Sequence, residues 1–497
     1  MVESARRRWL LLVVVSAGLL LITLDNSILY AALPTLVEEL GASSAQSLWI
    51  INAYPVVMAG LLLGSGTLGD RVGHRRMFLT GLAVFGAASL AAALSPSPEA
   101  LIAARAVLAV GAAAMMPATL ALIRVTFADE RERNVAIAVW GSLAIVGSAL
   151  GPIVSGLLLQ SFWWGSVFLV NVPVVVVALV LAPGGGADPG KHWDLVSSLL
   201  ALVALVGLVF AIKETAKATP SPGAAGVALV AAAAGGWAFA RRQRRLPDPL
   251  LDFAIFRNRA FLAGVLAAGF SMFAVAGLQL ITTQRFQLVE GFTPLRAGVL
   301  VAAVALGALP TAVAGGATLH RVGLLPIVAG GLALSTVGTV LVLLHFDSSM
   351  PLLVTGLLVA GAGLGAAMSV ASSAIMGNVP VRRAGMASSV EEVSYESGSL
   401  VAVALLGSLL SAVYSATVRL PPGTPGEARD SLDAALAVAG ESADGGALVA
   451  AASEAFDGAY GAVVLVVAGV LAVGTVATGV LLRRHGPGSA LSGPVPH

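Results

Sequence analysis

The chain of 497 residues contains no cysteine. Disulfides, thiol nucleophiles and Cys-based metal or redox centres are therefore excluded. Charge is scarce too. Asp, Glu, Lys and Arg make up 11% of the residues, against about 25% in a soluble domain. The formal net charge is only +2, so no nucleic-acid partner is expected. The six histidines show no paired ligand spacing, and neither a metal nor a cofactor is expected. The patterns G-x-S-x-G, H-E-x-x-H and the P-loop are missing, which argues against an integral membrane enzyme. With no nucleotide motif, uphill work would have to draw on an ion gradient.

What the chain has in quantity is apolar sequence, 58% of residues, arranged in long runs. A spanning helix needs about 20 mostly apolar residues. With charges and Pro/Gly clusters as punctuation, fourteen runs qualify: 9–33, 47–68, 78–95, 99–122, 134–159, 163–182, 193–212, 223–240, 259–281, 294–318, 323–344, 350–373, 385–414 and 456–482. The expected fold class is an all-α integral membrane protein with 14 transmembrane helices. The first run follows Arg6, Arg7 and Arg8. It is too long for a signal-peptide core and lacks a small-residue cleavage site, so it reads as a retained helix. Residues 241–258 form a basic linker suited to anionic headgroups. Residues 415–455 open with Pro421, Pro422 and Pro425 and turn Ala-rich and acidic. They read as a solvated outer loop with room for one short amphipathic helix.

Charge asymmetry sets the orientation. With the N-terminus inside and the runs alternating, 21 of the 28 Lys and Arg residues fall on the cytoplasmic side, six fall outside and Arg105 lies within a helix. Both termini are expected in the cytoplasm of a multi-pass inner (cytoplasmic) membrane protein.

The run at 385–414 also carries Glu391, Glu392 and Glu396. A charged side chain at a bilayer centre costs roughly 2.5–3.5 kcal/mol on the lenient scale, and such groups commonly mark a proton path, an ion path or a site for a cation. Residues four apart share a helix face. Glu392 therefore aligns with Glu396, and Glu391 with Tyr395. At 1.5 Å per residue, Glu396 lies about 16 Å from Gly385, near the midplane. Asp25 and Arg105 place two further charges inside runs. Each carboxylate also has a plain reading as a hydrogen-bond partner of a neighbouring helix, and Arg105 as an ion-pair partner. Three interacting carboxylates would titrate as a coupled set. Asn52, Tyr54, Met116, Trp140 and Tyr395 are candidates to line an adaptable pocket, since Met and aromatics suit varied ligands. For the apolar members, packing is the plainer reading.

The loop after the second run reads Gly66-Thr67-Leu68-Gly69-Asp70-Arg71-Val72-Gly73-His74-Arg75-Arg76. This G-x-L-x-D-R-x-G-x-R-R order resembles the signature loop of the major facilitator superfamily. Leu24-Asp25-Asn26-Ser27-Ile28 resembles the first-helix motif of its drug exporters. Arg105 with Gly111, Ala112 and Ala113 resembles the fourth-helix motif, although Leu108 and Ala109 replace its customary Gln and Gly. Gly147, Gly151, Pro152 and Gly156 match the fifth-helix antiporter motif, G-x-x-x-G-P-x-x-x-G. Val390-Glu391-Glu392 with Tyr395 and Glu396 is similar to the fourteen-helix exporters of quaternary ammonium compounds. Asn52 stands where that branch has an acidic residue, and Ala308 where it can have another. A second copy of the signature loop, Gly316 to Gly323, has His320 in place of Asp.

The resemblance implies a major facilitator fold. Residues 1–185 would form one six-helix bundle, 186–245 two extra helices with a basic linker, and 246–497 a second bundle with the outer loop 415–455. It implies a proton-coupled antiporter exporting lipophilic, mainly cationic drugs by alternating access. The alternative is a dedicated exporter of one antibiotic or metabolite. Asp25, Glu391, Glu392, Glu396 and Arg105 would couple protons to the cation. Gly66, Asp70, Arg71, Gly73 and Arg75 would form the cytoplasmic gate. The expected partners are small-molecule drugs, protons and the lipid bilayer, and the expected state is a monomer.

Overall fold

The computed structural model describes residues 5–42, 44–181, 195–215, 221–246, 249, 251–422, 424–441 and 445–485. The side chains of Asn52 and Pro152, and the boundary expected at 185–186, lie outside the described residues.

Among the described residues the regular structure is helical. The first group comprises α1 (Ala5–Leu40), α2 (Ser44–Val72), α3 (His74–Ala93), α4 (Pro98–Thr126), α5 (Glu130–Ser161), α6 (Ser166–Leu169) and α7 (Asn171–Leu181). Two helices follow, α8 (Leu195–Thr215) and α9 (Pro222–Gln243). The remainder are α10 (Arg259–Leu288), α11 (Pro294–Val322), α12 (Leu324–His345), α13 (Met350–Gly377), α14 (Ala384–Thr417), α15 (Leu432–Glu441) and α16 (Gly445–Leu482). Each apolar run coincides with a helix, the run at 163–182 with the pair α6 and α7. Eleven helices are long and apolar enough to cross a membrane, and shorter apolar stretches cover Ser166–Leu181 and Leu199–Ile212.

Local sequence starts these helices where they start. The Ser97 hydroxyl accepts the Ala100 N–H at 3.3 Å ahead of Pro98, and Asp129 accepts the Glu132 N–H at 2.9 Å. Asn258 accepts the Ala260 N–H at 2.9 Å, and Thr293 the Arg296 N–H at 3.3 Å ahead of Pro294. Such caps satisfy N–H groups that a helix start leaves unpaired. Gly73 and Gly323 each make the sharp turn into the next helix, with φ of 95° and 86°, a region open chiefly to glycine.

The packing repeats itself. α1 lies on α5, α2 on α4, and α3 on α4 and α7. In the same order, α10 lies on α14, α11 on α13, and α12 on α13 and α16. The two sets meet along two seams, α2 against α14 and α5 against α11, which the same correspondence exchanges. α8 packs on α2 and α14, and α9 on α8.

The segment at 415–455 is more ordered than a solvated loop. A 3-10 turn (Gly426–Arg429) and α15 fold back on α16, burying Ala428, Leu432 and Ala435. The Tyr414 hydroxyl donates to the Ala428 carbonyl at 3.0 Å. Alanine spacing, easily read as loop filler, is what lets the short helix sit close.

Candidate functional site

The acidic cluster lies on α14. Glu391 and Glu392 are 0% and 1% exposed. Glu391 Oε1 accepts hydrogen bonds from the Ser372 hydroxyl on α13 and from the Tyr395 hydroxyl, the latter at 3.1 Å. Tyr395 and Ser372 are themselves 3.4 Å apart. The alignment of Glu391 with Tyr395 expected from helical spacing is thus realised as a hydrogen bond. Neither oxygen of Glu392 has a hydrogen-bond partner among the described residues, nor does Glu391 Oε2. A buried carboxylate with nothing to satisfy it is costly as an anion. Glu396 lies one turn further on, half-buried, where α14 borders α8.

Asp25 is held differently. Its Oδ2 accepts from Arg105 Nη1 at 2.7 Å, and its Oδ1 from Asn171 Nδ2 at 2.9 Å. Asn171 also donates to Ser89 Oγ at 3.2 Å. Arg105 Nε donates to the Ile50 carbonyl at 3.3 Å, and its guanidinium sits 4.7 Å from the Tyr54 ring centre. One buried network therefore ties α1, α2, α3, α4 and α7 together. Asn171 and Ser89 carry no charge and belong to no motif noted in the sequence, so their part in it emerges only from the structure.

The signature loop reaches the other set of helices. Asp70 Oδ1 accepts the Gly385 N–H at 3.0 Å and Oδ2 the Met386 N–H at 3.2 Å. The residue preceding α14, Arg383, supplies no side-chain cap of its own. A carboxylate at a helix N-terminus also meets the positive end of the helix dipole. His74 Nε2 lies 3.2 Å from Asp70 Oδ1. Gly66 allows the approach: a Cβ there would collide with Ser389 Oγ and the Gly385 carbonyl. The Ser389 hydroxyl donates to the Leu62 carbonyl at 2.8 Å. Arg124 adds a contact nearby, donating to the Val379 carbonyl at 3.3 Å. Arg71 and Arg75 flank the loop, half-buried. On the second seam Gly316 comes equally close to Asn134 and Ala138, while His320 is exposed.

The antiporter stripe is a helix contact. A Cβ on Gly147 would meet Thr23, and one on Gly151 would meet Ser27, both on α1 and flanking Asp25. Gly156 faces open space. Of the pocket candidates, Trp140 is buried with its indole N–H donating to Thr119 Oγ1 at 3.1 Å. Tyr54 is buried beneath Arg105, and Met116 is half-buried. Arg285 forms a second buried charge centre that the sequence assigned to the outer surface. Only 2% exposed, it binds Asp457 at 2.7 Å and Glu290 at 3.2 Å and stacks against Phe286 and Phe346.

Comparison with known proteins bears on the same residues. The chain is 36% identical over 97% of its length, and 98% of the relative's, to the multidrug efflux pump LfrA of Mycolicibacterium smegmatis. It is 37% identical over 84% of its length, and 85% of the relative's, to the methyl viologen resistance protein SmvA of Salmonella typhimurium. The fold is similar to that of the human organic anion transporter MFSD10 (TETRAN), with a TM-score of 0.64 at 16% identity over 94% of this chain and 100% of that one. The family model described as Major Facilitator Superfamily matches residues 15–403. That span takes in the Asp25 network, the signature loop and its contact with α14, and the three glutamates, so this multi-pass membrane protein belongs to the Major Facilitator Superfamily, a family of transporters and not of enzymes.

Proposed function

We propose that the protein is a proton-coupled antiporter that exports lipophilic, mainly cationic drugs across the cytoplasmic membrane, with both termini inside. Glu392 carries the reading: a carboxylate 1% exposed, with no hydrogen-bond partner on either oxygen among the described residues. Such a group is cheapest as the neutral acid and becomes a favourable anion only when a cation arrives. Proton and cation then compete for one place. That competition is the minimum requirement for exchange. The names of two relatives, a multidrug efflux pump and a methyl viologen resistance protein, agree with export and with a cationic passenger.

In this reading fourteen helices span the bilayer, as two six-helix bundles with α8 and α9 inserted between them in sequence. The Asp70–α14 contact shuts the cytoplasmic end, and the two bundles rock about the buried acids to alternate access. The test is made in proteoliposomes with an imposed pH gradient. Adding tetraphenylphosphonium is expected to release protons, and Glu392→Gln to abolish the release while folded protein remains in the membrane. Undiminished release in Glu392→Gln would remove the basis of the proposal.

A further inference from the structure

α8 and α9 have no part in either charge network, yet α8 is closely seated. It lies across α2 where α2 has Gly60, and a Cβ at that position would run into Leu202 and Val206. Beside this contact α2, α8 and α14 leave a crevice of about 370 Å³, within the range of roughly 300–1,000 Å³ typical of small-molecule sites. Its walls include Ala59 of α2, Leu205, Leu208 and Ile212 of α8, and Leu400 of α14, and the charged residue among the described lining is Glu396. The depth of the crevice is buried, with Ala59 4% exposed. Its rim is open on the outside of the bundle, with Leu208 39% and Val401 43% exposed.

Apolar walls reject a strongly hydrated solute, and a carboxylate among them favours a positive charge. An opening on the outer flank of a membrane helix meets acyl chains before it meets water. Glu396 is also one helical turn from Glu392, so a cation held here would be adjacent to the buried acid. We propose that this crevice is a lateral site for monovalent lipophilic cations drawn from the bilayer, and that α8 forms its outer wall and limits the size of cation accepted. The inference rests on the exchange reading above, to which it adds an entry site. It gives the inserted helices a role in substrate selection.

The absence of cysteine makes α8 addressable one position at a time. In the full-length protein in lipid nanodiscs, tetraphenylphosphonium binding is compared for Leu208→Trp, which fills the crevice, and Val203→Trp, on another and exposed face of α8. Leu208→Trp is expected to weaken binding about tenfold and Val203→Trp to leave it unchanged. In parallel, saturating tetraphenylphosphonium should slow modification of Leu208→Cys by N-ethylmaleimide and not that of Val203→Cys. If Leu208→Trp fails to reach the membrane, the cysteine protection decides alone. Equal labelling of Leu208→Cys with and without the cation, while the native protein still exchanges protons for it, overturns the site and leaves the exchange reading intact. Protection of Leu208→Cys without proton exchange supports the site and removes the antiport reading. No binding to the native protein overturns both.

Discussion

Arg105 and Asp25 form an ion pair at 2.7 Å with both side chains wholly removed from solvent. Eighty residues separate them in sequence, and the contact joins α4 to α1. The pair is not isolated, because Asn171 and the Ile50 carbonyl occupy further hydrogen-bonding positions. Removing one partner of a buried pair is far more damaging than removing both, since it strands an unpaired charge.

Arg105→Leu is therefore expected to cost about 3–5 kcal/mol, with the double variant Asp25→Leu/Arg105→Leu close to native stability. Thermal unfolding in detergent micelles measures both. A single variant as stable as the native protein would show that the pair does not hold the bundle. Proton release by the double variant, measured at equal folded yield, then separates a structural role from a coupling role.

Asp70→Asn keeps the shape of the residue that caps α14 and removes its charge. A hydrogen bond to a charged group contributes about 1.5–3 kcal/mol, roughly twice a neutral one. The expected result is drug transport slowed several-fold with unchanged tetraphenylphosphonium affinity. A defect confined to affinity would contradict a gating role.

Trp140→Phe should lower stability by about 1 kcal/mol through loss of the bond to Thr119, a typical net value for a neutral hydrogen bond. The Thr119 hydroxyl keeps its own bond to the Met116 carbonyl at 2.7 Å. Cation affinity is expected to stay at the native level. A large fall in affinity would return Trp140 to the pocket wall.

Asp252, in the linker between α9 and α10, predicts an effect of pH. Burial pushes its carboxyl up, but the hydrogen bond from Arg383, the Ala254 N–H and the Arg383 charge together hold it below the usual 3.8. A group depressed in the folded state contributes stability above its unfolded value, and that contribution fades as pH falls through the lower folded value. Docking of the linker on Arg383 should thus be constant through the neutral range and weaken only in acid below 3.8. Limited proteolysis of the linker against pH measures it, and Asp252→Asn should remove the acid step.

The helices were legible because a bilayer demands long apolar runs, and the signature loop because its spacing is specific. The burial of Glu391 and Glu392 followed from their position in such a run. What sequence could not supply is which helix each polar group would face. Asn171 and Ser372 look like ordinary polar residues in apolar helices until Asp25 and Glu391 are placed beside them. Arg285 sits near the end of a run, where counting places it in solvent. Burial comes instead from Asp457, far away in the chain, and from stacked aromatic rings. The position of α8 across the α2–α14 seam was equally hidden, because an evenly apolar helix does not indicate its neighbours.

Gly66 and Gly316 bring the two seams to similar distances, but only one seam is fastened electrostatically. α14 depends on Asp70 from the opposite bundle for its cap, whereas α5 carries its own in Asp129. Separating α2 from α14 sacrifices two charge-assisted bonds. Separating α5 from α11 leaves the terminal cap of α5 untouched. The molecule is thus mechanically lopsided despite its internal symmetry: a rocking motion meets its greater resistance on the flank where α8 lies.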